Sequence, residues 1–333
     1  MNILLVKLSS LGDVVQTMPV VSDLLLAYPS ARIDWVVEEA FAPLVERAQG
    51  VRTVFAIAER RWRKTRYAAD TRRQRAAFFT GLQAQAYDAV VDFQGLIKSA
   101  LVARQARLAP GGFRATYANG SDACSYEWPV RFMLDKPVPM AQRIHAVARY
   151  RSLAAQALGY SPQGKAVYRL QTQNVSPEPG KTVVFAHGTT RPDNEWPTDR
   201  WIALGRQLIG QGYQIALPQS NPQELALCER MAVALGASSV LIWPRLSLAQ
   251  VLDHMAGSAG VIGVDSGLSH LAVALGLPHV QIFSQPRAWR AGPVDQAHQR
   301  AVGGDVAPQV QAVWDTWQAV MAQLMARAQS PAA

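Results

Sequence analysis

The sequence predicts an α/β protein built of two doubly wound, Rossmann-like domains. Three observations carry that prediction. Strand-like apolar runs alternate with helical patterns in both halves, a Pro/Gly-rich stretch separates the halves, and 333 residues is the length of about two domains.

In the first half, residues 3–6, 33–37, 54–56 and 89–93 read as strands, with helical patterns between them. The first of these runs into a polar turn, Ser9-Ser10-Leu11-Gly12-Asp13, and then into a helical stretch over 14–27. Residues 160–181 hold Pro162, Gly164, Pro177, Pro179 and Gly180 and read as the linker. In the second half, residues 183–186, 214–217, 240–243, 261–264 and 280–283 read as strands, and 201–210 and 223–235 as helices. A final helical pattern over 310–327 starts just after Pro308, and a Gln-Ser-Pro-Ala-Ala tail frays from its end. The expected domains are 1–163 and 180–311, facing each other across a cleft.

Hydrophobic residues make up 49% of the chain, enough for two sizeable cores. No window approaches the roughly 18 uninterrupted apolar residues of a membrane span. The apolar N-terminal run leads into a fold element with no small-residue cleavage site, so it does not read as a signal peptide. Cys124 and Cys228 form neither a metal pattern nor a disulfide framework. A cytoplasmic protein is the expectation.

The net charge of +9 is unevenly distributed. Residues 1–160 carry 21 Lys+Arg against 13 Asp+Glu, a net of +8; residues 161–333 carry 12 against 11, a net of +1. The first half is therefore expected to face something anionic. Eight Lys and Arg crowd the sixteen positions 60–75, opposed only by Asp70. A run of charge is usually a solvated face, but one-sided arginines also suit bidentate grip on carboxylate or phosphate. No nucleic-acid recognition motif accompanies them, so nucleic acid is not an expected partner.

The strand ends carry the candidate chemistry. In open parallel sheets, ligands bind outside the carboxyl ends of strands. The turn after the first strand lacks G-x-G-x-x-G, and the chain has no P-loop, which argues against an ordinary dinucleotide site in the first domain. On the residues alone, Asp13 reads either as a cap on the following helix or as an acid facing substrate. Val264-Asp265-Ser266-Gly267-Leu268-Ser269-His270 precedes a helix over 271–275 and suits a diphosphate at a helix start. A capped turn with Asp265 or Ser266 as cap fits equally. The polar loop His187–Pro197, with Thr189, Thr190 and Asn194, decides nothing by itself. No cluster of acids calls for a metal, so the expected chemistry uses neither metal nor cofactor.

Together these residues resemble the ADP-heptose:lipopolysaccharide heptosyltransferases, with the heptosyltransferase I branch nearest. The resemblance rests on KLSSLGDVVQTMP at 7–19, DWVVEE at 34–39, RRWRK at 60–64, YDAVVD at 87–92, QGLIKSA at 94–100 and VDSGLSHL at 264–271, in that order. It covers most of the chain. It implies a GT-B glycosyltransferase fold, with ADP-L-glycero-β-D-manno-heptose held by the second domain and an acidic Kdo sugar of Kdo2-lipid A by the first. It also implies a C-terminal helix, 312–327, that packs back on the first domain, and a monomer working at the cytoplasmic face of the inner membrane.

Position by position, the resemblance makes Asp13 the general base. Thr189, Thr190 and Asn194 lie by the donor diphosphate, Glu224 on the ribose and Leu246 on adenine. Asp265, Ser266, Gly267, Leu268 and His270 form the diphosphate and heptose loop. Ser10, Gly12, Arg60, Arg61, Arg63 and Lys64 belong to the acceptor side, supported by Gln94 and Lys98. Three departures stand out. Asn194 occupies a place where the family has a lysine, the loop 284–290 reads SQPRAWR, and the first-domain segment 117–128 does not follow the family. Arg287 and Arg290 of the altered loop are candidates to replace the lost cation. The remaining readings are a heptosyltransferase with another inner-core or glycan acceptor, and a non-catalytic sugar-nucleotide or lipopolysaccharide-binding protein.

Overall fold

The structure, a computed structural model, describes residues 1–173 and 180–329, with side chains to 326. Linker residues 174–179, including Pro177 and Pro179, and the tail from 330 onward lie outside the described residues. The chain divides into two compact units, Met1–Gln171 and Thr172–Ala333.

The first unit is a six-stranded parallel sheet of β1 (Asn2–Val6), β2 (Arg32–Glu38), β3 (Val51–Ile57), β4 (Ala86–Asp92), β5 (Arg107–Tyr117) and β6 (Lys136–Val138), in the order β3-β2-β1-β4-β5-β6. This is the doubly wound order, which reverses between β1 and β4. A parallel sheet is covered on both faces, so its strands read as continuous apolar runs. Accordingly Ile3, Leu4, Leu5 and Val6 are all fully buried.

The second unit repeats the plan with β7 (Thr182–Ala186), β8 (Gln214–Leu217), β9 (Val240–Ile242), β10 (Gly260–Val264), β11 (His279–Phe283) and β12 (Gln299–Gly303). Their order is β12-β11-β10-β7-β8-β9, reversing between β7 and β10. The core gathers Phe185, Trp196, Trp201, Ile262 and Trp317.

Several expectations are corrected. The helical stretch 14–27 is two helices, Leu11–Thr17 and Pro19–Ala27, meeting at Met18. Pro19 has no N–H to continue the ladder and instead opens the second helix. The helix expected over 271–275 is Gly267–Ala274, so Leu268 and His270 lie in its first turns.

β5, β6 and β12 have no counterpart among the expected strands. β5 is interrupted by Pro110-Gly111-Gly112, whereas β6 and β12 are short edge strands with exposed positions. The first unit runs to Gln171, inside the expected linker. Residues beyond the expected boundary return to it: Ser22 Oγ donates to Val167 O, and the 47–49 turn pairs with Arg169 and Gln171.

The C-terminal helix, Val310–Gln329, buries Val313, Trp317 and Val320 in the second unit's core. Their i, i+4, i+7 spacing makes one apolar stripe, which packs beside β11 and β12.

Candidate active site

Each sheet reverses between two strands, and both clusters of candidate residues lie just past those strand ends. In the first unit the register sets Val6 of β1 against Asp92 of β4, so Lys7 emerges beside Phe93. Lys7 is 3% exposed, and its Nζ donates to Phe93 O at 3.3 Å and lies 4.9 Å from the Tyr150 ring centroid.

Asp13 stands at the third helical position after Ser10 and closes a capping box with it. Its Oδ2 accepts from Ser10 N at 3.1 Å and Ser10 Oγ at 2.8 Å, and its Oδ1 accepts from Tyr150 Oη at 2.8 Å. The carboxylate therefore caps the helix from within, while Ser10 occupies the cap position itself. Burial alone would raise its pKa, but the Lys7 ammonium, Tyr150 and Ser10 together hold it well below the usual carboxylate range. Burial in turn draws the Lys7 pKa down, against the pull of Asp13 and Asp92.

Two further groups belong to this cluster. Asp92 is fully buried, accepts from Gln94 N at 2.9 Å and Ser99 Oγ at 3.0 Å, and is pushed up to about 6 by burial. Arg149 is 3% exposed and lies 4.0 Å over the Tyr117 ring. Its Nε and Nη2 are buried with no hydrogen-bond partner among the described residues. A buried guanidinium with two unspent donors is costly unless something accepts from it. Lys7, Arg149 and Tyr150 were not legible as site residues in the sequence. The 145–151 segment is some 130 residues from Asp13 and carries no motif.

The remaining acceptor-side candidates spread over three elements. Gln94 is buried and its Oε1 accepts from Ser9 N at 3.1 Å, tying the β4 loop to the β1 loop. Gly95, at φ +70, faces the Tyr117 ring so closely that a Cβ would lie 3.0 Å from it. Gly12 lies in the first turn of the Leu11–Thr17 helix, and Lys98 is exposed in the first turn of the helix Ile97–Gln105.

Arg60 to Lys64 form a short helix, Glu59–Lys64, past β3. Arg60 N donates to Glu38 Oε1 at 3.0 Å, and Arg61 grips Glu39 with two bonds of 3.1 and 2.9 Å. Arg63 and Lys64 are exposed and have no acidic partner among the described residues.

In the second unit, Asn194 follows β7, and its Nδ2 reaches Asp265 O at 3.3 Å and Asp265 Oδ2 at 3.4 Å. It is 4% exposed. Asp265 Oδ1 also meets His270 Nε2 at 3.4 Å and Gln281 Nε2 at 3.2 Å. Burial raises the Asp265 pKa, but the His270 contact, then Arg290 and Arg191, bring it below its ordinary value. The two loops thus hold a charged carboxylate beside an amide, with arginines in electrostatic range. Arg287, the other candidate replacement for the missing lysine, pairs with Asp193 at 3.5 Å.

Ser266 is the cap position of the helix Gly267–Ala274, and its Oγ is a buried atom without a partner among the described residues. His187 Nδ1, at the end of β7, is another. An unspent hydroxyl at a helix start, as at Ser266, suits the oxygens of a diphosphate. Thr189 Oγ1 accepts from Arg191 N at 3.2 Å, and Thr190 is exposed beside it.

Glu224 opens the helix Pro222–Leu235, accepting from Ser220 N at 2.7 Å and Ser220 Oγ at 2.9 Å. Gly188 lets the loop after β7 approach it, since a Cβ there would lie 3.1 Å from Glu224 Oε1. Leu246 is half-buried in the loop after β9. Among the described residues, no group of three His, Cys, Asp or Glu side chains could hold a metal ion.

Comparison with known proteins is consistent across sequence and structure. Lipopolysaccharide heptosyltransferase 1 of Escherichia coli K12 is 38% identical over 288 residues, covering 85% of this chain and 88% of that protein. Its counterpart in Pseudomonas aeruginosa is also 38% identical, covering 85% of this chain and 78% of that protein. The solved E. coli heptosyltransferase WaaC with ADP superposes with a TM-score of 0.83 at 35% identity, covering 98% of this chain and 99% of that one. WaaC with ADP-2-deoxy-2-fluoro heptose gives a TM-score of 0.78 at 34% identity. These neighbours identify the two parallel six-stranded sheets as a GT-B glycosyltransferase fold. Residues 75–312 match glycosyltransferase family 9 (heptosyltransferase), and the chain belongs to that family.

Proposed function

We propose that the protein transfers L-glycero-D-manno-heptose from ADP-heptose to a Kdo hydroxyl of Kdo2-lipid A, with inversion at the anomeric carbon. The observation that carries the reading is the ionised Asp13, held by Lys7 and Tyr150 at the strand-order reversal of a heptosyltransferase family chain. In the reaction, the acceptor oxygen bonds to the heptose anomeric carbon as its proton passes to Asp13. The bond from that carbon to the diphosphate breaks, and ADP leaves with the electron pair. A carboxylate with so low a pKa cannot remove the proton first. It takes it as the new C–O bond makes the hydroxyl acidic.

The donor is assigned to the second unit. Ser266 Oγ, the N–H groups of Gly267 and Leu268, Thr189 and Thr190 meet the diphosphate, with Arg191 and Arg290 opposing the charge that grows on departure. Asn194 holds Asp265 in place, Glu224 serves the ribose, Leu246 packs on the base, and His270 orients Asp265. The acceptor is assigned to the first unit. Arg149 and Lys7 face the Kdo carboxylate, Ser10, Gly12 and Gln94 shape its pocket, and Arg60, Arg63, Lys64 and Lys98 face lipid A phosphates, with Arg61 braced by Glu39. The residues present supply the charge compensation themselves, so the reaction is proposed to need no metal. The protein would work as a monomer on the cytoplasmic face of the inner membrane. Among the described residues no helix is long and apolar enough to cross a membrane.

One assay tests this reading: purified protein, ADP-heptose and Kdo2-lipid A, with ADP release and product mass followed, with and without EDTA. The expected result is one heptose added to Kdo2-lipid A and no loss of rate in EDTA. Turnover only on a core already carrying heptose would replace the proposed acceptor. ADP binding without any turnover would favour a binding protein.

A further inference from the structure

Four of the exposed large apolar side chains among the described residues fall on one small region of the first unit. Trp128 is 69% exposed, Phe132 72%, Leu101 52% and Ile97 38%. Trp128 and Phe132 end a single turn of 3-10 helix, Trp128–Phe132, and stack edge to face with centroids 6.1 Å apart. Ile97 and Leu101 lie at i and i+4, on one side of the helix Ile97–Gln105.

The turn and the helix are fastened together. Glu127 N donates to Gly95 O at 3.0 Å, Ile97 N donates to Glu127 Oε2 at 2.6 Å, and Val130 is buried in the same core as Ala100, Val102 and Ala103. The aromatic pair is thus held outward by a rigid base.

The charge around this patch is positive. Arg131 lies 5.1 Å over the Phe132 ring, and Lys98 and Arg104 are exposed on the helix that carries Ile97 and Leu101. The nearby acids are already engaged, Glu127 by Ile97 N and Asp135 by Arg114 N at 2.8 Å. The helix Ala69–Ala84, whose first turns carry exposed Arg72 and Arg73, packs against the same helix. An indole with its polar N–H edge, a phenyl ring, aliphatic side chains and surrounding Arg and Lys match the chemistry of a bilayer interface carrying negative headgroups.

We propose that the Trp128–Phe132 turn and the outer side of the helix Ile97–Gln105 form the surface by which this protein docks on an anionic phospholipid bilayer. The rings enter the headgroup region, and Arg131, Lys98 and Arg104 meet lipid phosphates. The proposal rests on the reading of the acceptor as a bilayer lipid, but docking is measured without turnover. Of the patch, Trp128 ends the segment 117–128 in which this chain leaves the family pattern.

The test uses the full chain and vesicles of phosphatidylcholine with or without phosphatidylglycerol, read by flotation. The wild type should float with phosphatidylglycerol vesicles and not with phosphatidylcholine alone. Trp128→Ser with Phe132→Ser should weaken that binding by about tenfold or more, and Arg131→Glu by a similar factor. Both variants should melt as the wild type does, since the side chains are exposed. On a Kdo acceptor lacking acyl chains, the Trp128→Ser, Phe132→Ser protein should turn over as the wild type does.

Wild-type protein that binds neither vesicle, or variants that bind as the wild type, would overturn the proposal. So would a loss of turnover on the soluble acceptor equal to the loss on vesicles, which would place the patch inside the active site. Vesicle binding with no turnover on any Kdo acceptor would sink the heptosyltransfer reading and leave the docking surface standing.

Discussion

At the scale of single residues, Asp13 serves two purposes with its two oxygens. Oδ2 closes the capping box with Ser10, and Oδ1 accepts from Tyr150, which leaves one lone pair on Oδ1 to take a proton. Asp13→Asn keeps a capping oxygen and removes the base. Turnover should fall by about 10²–10⁴-fold while ADP affinity, measured by calorimetry, stays unchanged. Near-normal turnover would remove Asp13 from the mechanism.

Lys7 gives a second prediction. Burial raises the Asp13 pKa, and the Lys7 ammonium is the chief influence reversing it. With the Asp13 pKa held low and Asp13 acting as the proposed base, the acidic limb of kcat/KM should lie below the ordinary carboxylate range. Lys7→Met removes the opposing charge, the Asp13 pKa rises, and that limb moves to higher pH. A pH–rate profile that stays in place would show that Lys7 does not govern the base. None of this was readable from the turn alone. On the residues alone, cap and base both stayed open for Asp13, because Tyr150 reaches it only through the folded sheet.

At the scale of elements, the strand–loop–helix units explain what was legible. Central strands are continuous apolar runs and were read directly. β5, β6 and β12 escaped because a Pro-Gly-Gly interruption or an exposed edge removes the apolar pattern. The break at Met18 escaped because the apolar stripe continues through Pro19. The loops after β7 and β10 were singled out as donor loops only through the family resemblance, and their coupling was not legible. Asn194 reaches Asp265 across the strand-order reversal, and Arg191 and Arg290 act on the same carboxylate.

That coupling predicts a double-mutant cycle. Arg290→Ala should lower kcat by roughly 10- to 100-fold through lost stabilisation of the departing diphosphate. Asn194→Lys restores a cation beside Asp265, so the Arg290→Ala loss should shrink in that background. The interaction is read as the difference between the two losses in kcat. Independent losses would mean that the altered 284–290 loop does not stand in for the missing lysine.

At the scale of the whole molecule, the positive charge is concentrated in the first unit. Residues 1–160 hold a net +8 and residues 161–333 a net +1, and the first unit is the one assigned to the acidic acceptor. Within it the arginines are not equivalent. Arg61 is committed to Glu39, whereas Arg63 and Lys64 are exposed without an acidic partner among the described residues. Charges exposed to solvent act over the Debye length, which falls from about 10 Å at 0.1 M salt to about 3 Å at 1 M. The specificity constant for the acceptor should therefore drop steeply over that range, as attraction between separated charges is screened. Arg63→Ala with Lys64→Ala should both lower that constant in dilute salt and flatten its dependence on salt. Arg61→Ala should leave the slope nearer the wild type, because its charge is already neutralised by Glu39. Measured with a soluble Kdo acceptor, the slope reports on the active site without the bilayer. A wild-type slope near zero would confine the basic stretch to a solvated face, and equal flattening by all three substitutions would show that the Glu39 pair leaves the Arg61 charge free to act.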